Sequence, residues 1–236
     1  MLPAQPNYSV IDCVRCLEHL STSREALGAR ELAREMQMEP TRAHRMLKTL
    51  AHLRMVVQMR DRRYKLGAGA HVLSARGVDT WHVLRERERV LAELRGAVPH
   101  RVRAGIYWEG TVAIIWDSER AGTGTAGGVG RYGTVGATES AIGLSMLAEQ
   151  SEEAERVYWN RPVPGYPDGL PALEAVLRET RIRGYAFCAS VREVAPSSLA
   201  VTVEDGMTAL EIAGAFGERE IGNLVVLLRR TVEQMN

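Results

Sequence analysis

The sequence predicts a two-domain α/β chain. A small basic helix-turn-helix module closed by a β-hairpin comes first, then a larger domain of helices and short strands. Three observations predict this. Charge is split: residues 1–79 carry a net +5 and residues 80–236 a net −4, within a total of +1. Such asymmetry fits a nucleic-acid module joined to something else. Two short helical segments separated by a brief turn precede a basic-tipped hairpin. Beyond residue 100, strand pairs with turn signals alternate with helical stretches.

The first helix is expected from Ser9 to about Leu20, opened by a capping box at Ser9-Val10-Ile11-Asp12. Val10, Cys13, Cys16 or Leu17, and Leu20 would form its dry face. A second helix covers Ala29–Met36. The third begins at Pro40, which suits a first helical turn, with Thr41 as the capping residue. Ala43, Met46, Leu47, Leu50 and Leu53 recur at helical spacing and form one apolar stripe. Thr41, Arg42, His44, Arg45, Lys48 and Thr49 fall off it. A short helix presenting Arg and Thr in its first turns suits a DNA major groove, where Arg donates two hydrogen bonds to guanine O6 and N7. The plainer alternative is a solvated basic face. What surrounds the helix decides between them. The preceding helix completes a helix-turn-helix pattern. After it, Met55–Met59 and Tyr64–Gly67 read as strands around Arg60, Asp61, Arg62 and Arg63. That is a wing, with Arg60, Arg62 and Arg63 near phosphates or the minor groove.

Ala68–Ala75 reads as a helix ended by Gly77-Val78-Asp79, and Trp81–Val98 as a long charge-laced helix. Val102–Trp108 and Thr111–Asp117 flank a Glu109-Gly110 turn. In simple register, Tyr107, Val112, Ile114 and Trp116 share one face, and Ile106, Trp108, Ala113 and Ile115 the other. Both faces are apolar, so both are expected to be covered, by a helical layer on one side and a ligand cavity on the other. Residues 121–136 are Gly-rich and aperiodic. Helices are expected at Thr138–Gln150, Ser151–Trp159, Pro171–Arg183 (stopped by Gly184) and Arg219–Met235. Strands are expected at Tyr185–Ala189, Ser198–Glu204 and Met207–Ala213.

Other chemistries lack support. Gly122-Thr123-Gly124-Thr125-Ala126-Gly127 spells G-x-G-x-x-G after a strand, but no helix opens there and no acid ends a second strand. Cys13, Cys16 and His19 sit within one helix and cannot close a four-ligand zinc site. Ser140 and Ser198 have no evident His/Asp partners. No enzyme activity, cofactor or metal is expected. Three cysteines, no apolar run of about 18 residues and no signal-peptide pattern lead to the expectation of a cytoplasmic protein that does not engage membranes.

Four stretches in this order resemble the IclR family of transcriptional regulators. Thr41–Leu50 is similar to the family's S-T-x-x-R-L-L-x-T-L, and Tyr64-Lys65-Leu66-Gly67 to its Y-x-L-G. Ala141–Ala148 is similar to A-x-G-x-x-x-L-A, and Arg181–Ala186 to R-x-x-G-Y-A. The resemblance spans nearly the full chain. It implies a winged helix-turn-helix DNA-binding domain at 1–67, a linker helix at 68–79 and an α+β effector-binding domain at 80–236, its antiparallel sheet flanked by helices. It also implies homodimers or homotetramers that bind double-stranded operator DNA, as repressor or activator, and respond to a small organic effector.

The same resemblance assigns the effector contacts. They are Cys188, Ser198, Ala215 and Gly217, together with Gly128, Val129 and Gly130 of the Gly-rich loop and Thr138, Ser140 and Ala141 at the next helix start. There are departures. Phe187–Val191 lacks the family's acidic residues, Ala195 replaces a glycine, and the late Ser-x-Ser-Gly-Pro is placed at Ala215-Phe216-Gly217-Glu218-Arg219. This pocket should therefore be less polar than usual and take a larger, more apolar or aromatic effector. Two other readings stay open. One is a small-molecule-binding protein or enzyme whose N-terminal module serves protein association. The other is a thiol sensor using Cys13, Cys16 and Cys188.

Overall fold

The computed structural model describes residues 4–80, 88–119, 133–150, 152–189, 196–204 and 206–235, and of 78–80 the backbone alone. The chain falls into two compact units, residues 1–80 and 81–236.

In the first unit α1 (Tyr8–Thr22), α2 (Ala29–Glu35) and α3 (Pro40–His52) are followed by β1 (Val56–Gln58), β2 (Tyr64–Leu66) and α4 (Ala68–Thr80). Cys16, Leu20, Leu32, Leu47, Leu50, Val56 and Tyr64 form its core. Burying these side chains at about 1.5–3 kcal/mol each is what holds such short helices, which are marginal alone. β1 and β2 pair antiparallel. Leu27 bridges Tyr64 through hydrogen bonds of 2.9 and 2.8 Å, tying the hairpin to the entry of α2.

Several expectations are corrected. α1 is capped by Asn7, whose side chain accepts from the Ser9 and Val10 amides, so Ser9 lies inside the helix and Val10 is exposed. α3 is capped by Glu39, not Thr41, because the Glu39 carboxylate reaches the Arg42 amide at 2.9 Å. Leu53 follows the last turn and leaves the stripe for solvent. α4 runs through Gly77 to Thr80. A helix tolerates one glycine at a cost of about 1 kcal/mol, and Gly77 does not adopt the positive φ of a helix-ending cap.

In the second unit, α5 (Glu88–Ala97) is the described part of the long helix; its expected start over residues 81–87 lies outside the described residues. Then come β3 (Arg101–Trp108), β4 (Thr111–Asp117), β5 (Thr134–Gly136), a 3₁₀ turn (Ala137–Glu139), α6 (Ala141–Glu149), α7 (Glu153–Tyr158), α8 (Leu170–Arg183), β6 (Ala186–Cys188), β7 (Ser197–Thr202), β8 (Thr208–Gly214) and α9 (Glu218–Glu233). The strands form one antiparallel sheet in the order β5-β4-β3-β8-β7-β6. Strand β5 was unexpected within the Gly-rich stretch. α8 ends on Gly184 at φ 70°.

Helices cover both faces of the sheet, rather than a helical layer opposing a cavity. On one face α5 and α9 pack over Val102, Leu199, Leu210 and Ile212. On the other, α6 and α8 pack over Val112, Ile114, Ala200 and Ala209. The simple β3–β4 register fails at a bulge: Gly105 pairs Ile114 while Ala104 pairs Trp116. Ile115 is the extra residue, so Trp116 turns to the α5/α9 face.

Beyond the bulge, Arg101 grips the buried Asp117 through Nε–Oδ1 (3.0 Å) and Nη2–Oδ2 (2.5 Å). Burial raises the Asp117 pKa, but the Arg101 hydrogen bonds, the Glu119 amide and the Arg101 and Arg103 charges outweigh it and hold the carboxyl below its usual range. A depressed pKa gives stability that is present above the ordinary carboxylate value and lost as pH falls through the folded value. Asp117→Asn should cost about 2–3 kcal/mol at pH 7. That is less than for a fully enclosed pair, since Arg101 is one-third exposed. Chemical denaturation across acid pH should show the gap between variant and wild type begin to narrow as pH falls below the ordinary carboxylate value and close as pH falls through the folded one.

Candidate functional site

In α3, Ala43, Met46, Leu47 and Leu50 are buried while Thr41, Arg42, His44, Arg45, Lys48 and Thr49 are exposed. The outward face is thus fixed by the inward one. Arg42 is not loose: its Nη2 pairs with the Asp12 carboxylate of α1, while half its side chain stays exposed. A guanidinium has five N–H donors, so one pairing orients the fork and leaves donors to spare. Thr49 donates its hydroxyl to the Arg45 carbonyl at 3.0 Å. Glu39 takes the first-turn amides, and hydrogen bonds from the Thr41 and Arg42 amides hold its carboxyl below the usual range. A phosphate at the α3 N-terminus, beside Thr41, would meet that carboxylate.

At the wing, Arg60 and Arg62 are exposed. Arg62 sits at φ 65° and donates its amide to the Met59 carbonyl. Asp61 turns back, its carboxylate accepting from the Arg63 amide at 3.1 Å. Arg63 departs from expectation. Its Nε bonds the Ala26 carbonyl and its Nη2 pairs with Glu31 at 3.1 Å, so it fastens the hairpin to α2.

The expected effector residues scatter. Gly128, Val129 and Gly130 lie outside the described residues. Thr138 and Ala141 are buried at the entry to α6. Ser140 is the α6 cap: its hydroxyl accepts from the Gly143 amide (3.2 Å) and donates to the Gly136 carbonyl (2.8 Å). Ala215 and Gly217 lie past β8, exposed beside a surface recess with Pro196 and Phe216. Strand pleat places Glu211 and Ala213 at the inward β8 positions instead.

Cys188 and Ser198 do come together, paired across β6 and β7. With them stand two residues missed in the sequence. Glu211 is fully buried, and its Oε2 pairs with Nη2 of Arg103 on the neighbouring strand. Burial holds the Glu211 pKa above its usual range, outweighing the Arg103 charge and the nearby Ser198 hydroxyl and Ile142 amide, which pull the other way. Burial, with the Glu211 charge adding, pushes the Cys188 thiol up to about 11, and burial takes Cys16 to about 12. Both stay protonated thiols near pH 7, which disfavours a thiol sensor. The expectations drawn from the sequence did not include this buried ion pair. A charge in the middle of Thr208–Gly214, flanked by Leu210 and Ile212, was the available signal.

Among the described residues no group of three or more His, Cys, Asp or Glu side chains could hold a metal ion, and no helix is long and apolar enough to cross a membrane.

The model of the IclR helix-turn-helix domain matches residues 14–60. An IclR-family transcriptional regulator from Brucella abortus aligns at TM-score 0.77 and 16% identity, over 98% of this chain and 92% of its own. An IclR transcriptional regulator from Alicyclobacillus acidocaldarius aligns at TM-score 0.66 and 20% identity, over 98% of each. An IclR homolog from Microbacterium hydrocarbonoxydans, complexed with 4-hydroxybenzoate, aligns at TM-score 0.60 and 20% identity, over 96% and 97%. No curated protein sequence matches the chain. These structural likenesses show the fold, and the family match identifies the helix-turn-helix. The matched proteins are transcriptional regulators, not enzymes.

Proposed function

We propose, taking this chain as an IclR-type transcriptional regulator with a helix-turn-helix DNA-binding domain, that α3 reads operator bases and that a small organic effector held in the second unit modulates binding. The observation that carries the reading is α3 itself. Its four buried apolar residues leave Arg42, His44, Arg45 and Lys48 facing out. Arg42 and Arg45 would reach base edges, with Lys48 on bases or phosphates, and Arg60 and Arg62 would meet the backbone. Thr41 and His44 are flanking contacts, and Arg63 supports the wing from behind. A two-fold pair of chains would set two reading helices about 34 Å apart, in successive major grooves.

The effector reading is supported by the polar centre of Glu211, Arg103, Ser198 and Cys188 beneath α6, and by the hydroxybenzoate complex of the Microbacterium protein.

The test is titration of the full chain onto duplex DNA from upstream of its own coding region at several salt concentrations. The logarithm of the binding constant should fall linearly with the logarithm of the salt concentration. Arg62→Ala should weaken operator and random DNA alike and reduce the salt slope by about 1. No binding at any salt would instead favour a protein-pairing role for the first unit.

A further inference from the structure

Glu211 stands on the sheet face covered by α6, with its cross-strand neighbours Ala200 on β7 and Arg103 on β3. Around it the side chains are small: Ala186, Ala200 and Ala209 are all fully buried. Its carboxylate pairs with the Arg103 guanidinium, and the Ser198 hydroxyl and the Ile142 amide lie near it without closing a full hydrogen bond. Ile142 is the second residue of α6. Its amide belongs to the first turn, where no intrahelical acceptor exists and the helix dipole favours an anion. Ser140 caps only the Gly143 amide there. A guanidinium, a hydroxyl and a helix N-terminus are what a bound organic acid would use. The chain supplies that acid itself.

We propose that Glu211 is an internal carboxylate ligand, filling the anion site formed by Arg103, Ser198 and the α6 N-terminus, so that the effector of this domain is uncharged and free carboxylates are excluded. This rests on the effector reading above and narrows its chemistry. A second carboxylate would face Glu211 with Arg103 already paired to it and Arg101 already paired to Asp117. A hydroxyl or amide, which both donates and accepts, is welcome, because both Glu211 oxygens are buried without a donor and Arg103 Nε without an acceptor. The preference differs from the 4-hydroxybenzoate bound by the Microbacterium protein.

Removing Glu211 exposes the site to an outside acid. Thermal unfolding of the full chain is followed in sodium acetate and in sodium chloride at equal ionic strength. Wild type should unfold at the same temperature in both. E211A should unfold at a lower temperature, and acetate but not chloride should recover at least half of that loss. The double variant R103A/E211A should show no such recovery. If E211A is insoluble, E211S, with its smaller void, is compared in the same way. Benzoate and benzamide then probe wild type, where benzoate should give no larger shift than benzamide. Acetate acting no better than chloride on E211A or E211S overturns the proposal, as does stabilisation of wild type by benzoate beyond benzamide. DNA affinity, measured on the same samples, reports separately on the regulator reading.

Discussion

Arg42→Ala should lose about 1–3 kcal/mol of operator affinity, roughly 5- to 150-fold, while random DNA loses no more than one phosphate contact's worth. The loss should concentrate at one or two base pairs. The reason is geometric. Arg42 leaves the first turn of α3, and the Asp12 pairing fixes the plane of its fork while half the side chain remains exposed. A pre-oriented guanidinium surrenders less freedom on forming a bidentate pair with guanine. Competition binding on operators mutated one base pair at a time checks this. Equal losses on operator and random DNA would make Arg42 a backbone contact.

Gly143→Ala should lower the unfolding temperature of the full chain by about 6–12 °C, equivalent to about 3 kcal/mol. An added Cβ would stand 2.3 Å from both Cα and O of Ala137. Those are backbone atoms of the 3₁₀ turn that leads into α6, so neither partner can step aside cheaply. The Ser140 cap and the Ile142 amide beside Glu211 lie on the same turn, so the polar centre should loosen with it. Gly222 in α9 is the control, because a Cβ there meets nothing within 4 Å. Gly222→Ala should stabilise by up to about 1 kcal/mol, as helix propensity alone dictates. The same substitution in two helices should therefore act with opposite sign. Calorimetry on both variants decides it, and a neutral Gly143→Ala would mean the α6 entry is looser than the contact distances imply.

The helix-turn-helix was legible because its information is local. Ala43, Met46, Leu47 and Leu50 sit at helical spacing, Pro40 marks the first turn, and the hairpin announces itself by polar residues between apolar runs. What that reading missed was one local contest, Glu39 taking the cap ahead of Thr41, and two tertiary contacts, Asp12 reaching Arg42 from α1 and Arg63 turning back to Glu31. In the second unit the elements were largely visible, but strand faces were not, because one bulged residue at Ile115 turns Trp116 to the other layer. The polar centre had a signal that went unread. Arg103 and Glu211 are charges inside apolar strands, and only cross-strand register shows that they are neighbours. Ala215 and Gly217, matched to the family's Ser-x-Ser-Gly-Pro, lie past the end of β8 and are exposed, which the sequence match alone does not show.

If α3 reads bases in the major groove, its arginines cover guanine N7, and methylation of DNA upstream of the protein's own coding region measures that cover. Full-length protein should protect guanines in two patches about one helical turn, or 34 Å, apart, and Arg42→Ala with Arg45→Ala should abolish that protection while salt-dependent binding persists. Binding that leaves every guanine N7 open to methylation would contradict it.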